Sequence, residues 1–63
     1  MYIMVDSMLV NTNSISKIVI DYNGLKIKYF MNSNDIIHEV HKTKRVCRNK
    51  FNKLKRLLCC QEN

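Results

Sequence analysis

The chain contains no proline, no tryptophan and only one glycine in 63 residues. Without proline, no X–Pro stop divides it into segments. One glycine cannot build a Gly-rich loop that cradles a phosphate. Acids are also scarce, five against eleven Lys and Arg. Asp6, Asp21, Asp35 and Glu39 are scattered over separate segments, so no carboxylate pair is in place for acid–base chemistry. Neither a Ser-His-Asp order nor an HExxH run appears. We expect no catalytic residues and no enzyme. No apolar run approaches the roughly 20 residues of a bilayer-spanning helix. The opening MYIMVDSMLV lacks a basic start and carries Asp6, so no signal peptide is expected. The three cysteines include an adjacent pair, Cys59-Cys60, whose bridging would strain the intervening peptide. An odd, unspaced set suits reduced thiols and a cytoplasmic location better than a disulfide framework.

What is present reads as globular: 46% hydrophobic and 25% charged. A chain this short buries only about 60% of its unfolded surface, which means one domain, 1–63, and no deep pocket. Tyr2–Val5 and Met8–Val10 are short strand-like runs around an Asp6-Ser7 turn signal. ISKIVIDY and LKIKYF flank Asn23-Gly24, the signature of a two-residue type I′ hairpin. Closing the hairpin there pairs Tyr22 with Leu25, Asp21 with Lys26, Ile20 with Ile27, Val19 with Lys28 and Ile18 with Tyr29. One face then holds Ile18, Ile20, Tyr22, Leu25, Ile27 and Tyr29; the other holds Lys17, Asp21, Lys26 and Lys28. A one-residue slip would scramble both faces.

The second half predicts a helix over 34–58, with Asn32-Ser33-Asn34-Asp35 supplying N-caps. Val40, Cys47, Phe51, Leu54 and Leu58 continue a narrow apolar stripe from Ile36 at spacings of three and four. The expected fold is α+β: a three- or four-stranded antiparallel sheet over 1–31, then one long basic amphipathic helix. Such a helix would run roughly 37 Å, against about 20 Å for the hairpin strands. A seam of Cys47, Phe51, Leu54 and Leu58 would then outrun the sheet, which predicts either a helix break near Lys44–Arg48 or a homodimer, the reading we favour at this point.

Charge is placed unevenly. Residues 1–41 carry three lysines against four acids, whereas residues 42–63 carry eight cations against Glu62. The segment KTKRVCRNKFNKLKR, 42–56, holds all eight and no acid. Seven of the eight lie on the broad arc opposite or beside the stripe on a helical wheel. The pattern fits phosphate contact along a nucleic acid. Arg45, Arg48 and Arg56 suit bidentate contacts; Lys42, Lys44, Lys53 and Lys55 act as point charges; Asn49 and Asn52 share the outer face and suit adenine edges. Phe51 turns toward the stripe, so no base-stacking platform is expected.

His38, His41, Cys47, Cys59 and Cys60 do not converge on one side of the wheel, so no metal and no cofactor is expected, and both histidines read as surface groups. Cys59-Cys60 after a basic helix is compatible with lipid attachment, but the stripe is narrow and lacks Trp, so a membrane partner is not favoured.

These features point to a non-enzymatic basic binding protein that engages nucleic acid or a ribonucleoprotein through helix 42–56. Eight asparagines and no proline, with abundant Ile and Lys, suggest an AT-rich genome. In size, single-domain build, this bias and the lack of catalytic groups, the chain resembles small phage accessory proteins, including anti-CRISPR-type inhibitors. The resemblance covers general character over the whole chain and carries no motif and no site residue. It implies a host-cell inhibitor that blocks a defence ribonucleoprotein. Many such inhibitors mimic DNA with acidic surfaces; a basic one would instead hold guide RNA or an acidic protein surface. A dimeric DNA-binding regulator, with a symmetric footprint, is a further alternative.

Overall fold

The computed structural model describes residues 1–21 and 23–59, the last without its side chain. The fold is α+β: five strands in two antiparallel sheets, followed by one C-terminal helix. Strands β1 (Tyr2–Val5) and β2 (Met8–Asn11) form a two-stranded hairpin. A 3-10 turn, Thr12–Ser14, leads into β3 (Ile15–Asp21), which pairs with β4 (Lys26–Met31), and β4 pairs with β5 (Ile36–Val40). Helix α1 spans Lys44–Cys59.

The β3–β4 register matches the pairing expected from alternation, from Asp21↔Lys26 through Ile18↔Tyr29; the Tyr22–Leu25 pair involves a residue outside the described ones. The turn differs from expectation. Gly24 does not take a positive φ, whereas Leu25 does, at 53°. Asp21 Oδ1 accepts the Gly24 N–H at 3.1 Å and organises the loop. A Cβ at Gly24 would lie 3.0 Å from Asp21 Oδ2 and from Lys26 Cε, so those two side-chain ends would have to shift slightly to admit a larger residue.

The expected helix start at 34 is corrected, because 36–40 is strand β5 and not helix. Asn32-Ser33-Asn34-Asp35 makes a tight turn and caps nothing. The Asn34 N–H donates to Met31 O at 3.0 Å, Asn34 takes φ 75°, and the Met31 N–H donates to Asp35 O at 2.8 Å. That is a type I turn followed by a left-handed residue, a common three-residue hairpin loop. Asn, Ser and Asp serve turns and caps alike, since their side chains bond to nearby backbone. Once the chain turns back there, β-branched Ile36, Ile37 and Val40 suit an edge strand. The sheet part therefore extends to residue 40, as two sheets rather than one of three or four strands.

Alternation along the three-stranded sheet sends Ile18, Ile20, Ile27, Tyr29 and Ile37 to one side, where the core lies. Ile3, Val5 and Val10 of the first hairpin and Cys47 and Leu54 of α1 complete that core. The opposite side of the sheet has no covering element among the described residues.

Helix α1 is 16 residues long, about 24 Å, comparable to the strands. The length mismatch that called for a second chain disappears. Cys47 and Leu54 are buried by their own chain, and Phe51 packs against the same core half-buried. Leu58, also half-buried, ends the seam.

Candidate nucleic-acid interface

Helix α1 begins at a polar cap. Thr43 Oγ1 accepts the Val46 N–H at 3.2 Å, and its carbonyl accepts the first helical bond from Cys47 at 3.1 Å. The helix then fixes its own roll in two ways. Cys47 and Leu54 insert into the core, and Lys50 reaches inward to an acid.

That acid, Glu39 on β5, is buried at 4% exposure. Its carboxylate accepts the Tyr29 hydroxyl at 2.8 Å, the Asp6 N–H at 3.2 Å and the Lys50 ammonium at 3.1 Å, and it bonds His41 Nε2 at 3.2 Å. Lys50 also donates to Met4 O at 2.9 Å. One carboxylate thus ties together β4, β5, the β1–β2 turn and α1. Burial by itself would push its pKa up, but the donors that surround it outweigh burial and hold it below the ordinary 4.5. Burial first, then the bond to Glu39 and its charge, raise the Tyr29 phenol well above the ordinary 10.0. The Cys47 thiol is likewise raised, chiefly by burial, so it behaves as a small core residue and not as a nucleophile.

With Lys50 turned in, the remaining cations of the segment face out. Lys42, just before the helix, and Lys44, Arg45, Arg48, Lys53, Lys55 and Arg56 are all exposed, as are Asn49 and Asn52. Asn49, Asn52, Lys55 and Arg56 share a shallow open depression on this side. The ion pairs among the described residues are Lys28–Asp21, His41–Glu39 and Lys50–Glu39; the exposed lysines of α1 take no part in them. No acid stands in the first turn of the helix. All the expected contact residues are exposed; those on α1 spread over about half of the helix circumference, and Lys42 lies outside the helix.

Glu39, Tyr29, Asp6 and His41 were not read as a cluster from the sequence. One signal was available: Lys50 stands beside Cys47 and Leu54 at an edge of the apolar stripe, where a cation can reach an acid of the core. His41 is corrected from surface group to partner of Glu39, because it follows Glu39 inward at the end of β5. His38 is exposed. Among the described residues no three His, Cys, Asp or Glu side chains gather as a metal would require. Cys60 lies outside the described residues, as does the side chain of Cys59. No described helix is long and apolar enough to cross a membrane. No protein-family model, curated protein or solved structure matches this chain.

Proposed function

We propose that the protein binds the phosphate backbone of a nucleic acid through the outward side of α1. The observation that carries this reading is the acid-free set of exposed cations on a rod whose roll is fixed by inward-turned Lys50 and by buried Cys47 and Leu54. From Lys44 to Arg56 the row runs about 18 Å. Duplex DNA carries one charge per roughly 1.7 Å of axis, so on the order of ten phosphates lie within reach. An α-helix also fits the major groove, where Arg45 and Arg56 suit guanine and Asn49 and Asn52 suit adenine. Phe51, half-buried against the core, leaves that surface without a stacking ring, which favours a duplex or folded RNA over a splayed single strand.

The test is fluorescence polarisation with labelled duplex DNA and duplex RNA at 50 mM salt. Binding should weaken about 10²–10³-fold between 50 and 200 mM salt if four or five phosphates are neutralised. Replacing Arg45, Lys53, Lys55 and Arg56 together by Glu should abolish it while the circular dichroism spectrum stays native. Absence of binding by the unaltered chain at 50 mM salt sinks the reading. A stoichiometric protein partner that survives nuclease treatment would move the same surface to an inhibitor of the phage type.

A further inference from the structure

The apolar surface of this protein is as unevenly placed as its charge. Among the described residues, ten large apolar side chains are exposed, and five belong to the first nine positions: Met1, Tyr2, Met4, Met8 and Leu9. On the β1–β2 hairpin, Ile3, Val5 and Val10 point into the core. Alternation therefore turns Tyr2 and Met4 outward, and Leu9, directly paired with Met4, joins them. Tyr2 is 63% exposed, Met4 52% and Leu9 69%. Nothing covers this face among the described residues, and the largest contiguous apolar patch on a small protein is often functional.

We propose that this face is where two copies of the chain pair, hairpin against hairpin about a two-fold axis. Three observations select that occupant. The first concerns charge. The only charged side chain in residues 1–16 is Asp6, at the turn. Two molecules of net charge +6 can therefore meet through side chains that carry no cation, and Lys50, whose ammonium reaches Met4 O, is paired with Glu39. An isologous contact needs a patch that suits itself, and a neutral apolar one does. The second concerns area. Tyr2, Met4 and Leu9 together offer on the order of 400 Å² per copy, or about 800 Å² for the pair, a small interface of the weak, concentration-dependent kind. The third concerns the alternatives. An apolar face that enters an anionic membrane is ringed by Lys and Arg, whereas residues 1–16 contain neither and the cation that reaches this hairpin, Lys50, is turned to Glu39. Val19, Ile36 and Val40 are also exposed on that other sheet, but Lys17, Lys26, Lys28 and His38 interrupt them, so two copies would oppose like charges there.

This pairing is independent of nucleic-acid binding and differs from a dimer seam along α1. Its test is sedimentation equilibrium of the full, nuclease-treated chain from about 5 to 300 µM, in 0.15 and 0.5 M NaCl. The mass should climb from 7.5 kDa toward twice that value, with added salt leaving the association unchanged or stronger. Met4→Thr with Leu9→Thr should weaken association at least tenfold; both side chains are exposed and Thr suits a strand, so the circular dichroism spectrum should remain native. If the double variant fails to fold, Leu9→Ser alone makes the same test. A monomer at every concentration overturns the proposal. So does a dimer that these variants leave intact, or one that Val19→Thr with Val40→Thr disrupts instead.

Discussion

Lys50 and Lys53 are three residues apart on α1 and meet opposite fates. Lys50 gives its ammonium to a buried carboxylate and to a backbone carbonyl; Lys53 points into solvent. The residue type is the same, so the environment decides. Drawing a cation inward requires an anion already fixed there, and burial without one costs several kcal/mol. On the inner side of α1 that anion is Glu39, and one cation is drawn in. On the other side the exposed lysines of α1 join no ion pair among the described residues. One helix therefore does two jobs, fastening the fold with one side and displaying charge with the other.

The largest expected effect comes from breaking the fastened side. Glu39→Ala leaves Lys50, the Tyr29 hydroxyl and the Asp6 N–H without their acceptor, and should cost about 3–5 kcal/mol. A domain of this size has roughly 3–9 kcal/mol of stability in total, so urea unfolding should find the variant at the edge of folding. Lys50→Met tests the same pair from the other end. It keeps the aliphatic stem but leaves Glu39 short of a counter-charge, and should fall between Glu39→Ala and the unaltered chain.

Titration probes the same cluster without mutation. The folded pKa of Glu39 lies below its ordinary value, so its contribution is complete above about pH 4.5 and is lost as pH falls through the folded value. The Tyr29 pKa is raised in the fold, so its contribution is complete below about pH 10 and drains away as pH rises beyond that. Unfolding free energy measured against pH should fall at both ends. Glu39→Gln should flatten the acid limb, and Tyr29→Phe should flatten the alkaline one.

These contrasts also show why some of the molecule is legible from the chain and some is not. The β3–β4 register follows from strict alternation and closure at one turn, both local. The exposed cations follow from a helical wheel, because most positions of the basic run lie off the apolar stripe. Strand β5 is disguised for a physical reason. Its inward positions include Glu39, and His41 follows just beyond, so the polar–apolar pattern of a half-buried strand is inverted. Meanwhile Ile36 and Val40, four apart, imitate a helical stripe. Glu39 finds its donors 33, 10 and 11 residues away in sequence, and no window of local pattern contains them. Leu25 is similar: the positive φ falls one residue beyond the Asn-Gly pair because Asp21 fixes the loop from outside it.

On the displayed side, the expected stability changes are small and their sign is informative. The first turn of α1 opens with Lys44 and Arg45 and no acid, although the positive end of the helix dipole sits there and favours negative charge. Arg45→Glu should therefore stabilise the fold by about 0.3–1 kcal/mol at low salt, readable as a higher urea midpoint with an unchanged slope. If Arg45 contacts phosphate, the same substitution should weaken duplex binding and reduce the salt slope by about one unit. A gain in stability coupled to a loss of affinity would mark the cation as retained for binding against the preference of the helix. A gain in stability with unchanged affinity would remove Arg45 from the interface and shift the contact toward the C-terminal half of α1, where Lys53, Lys55 and Arg56 stand and where positive charge agrees with the dipole.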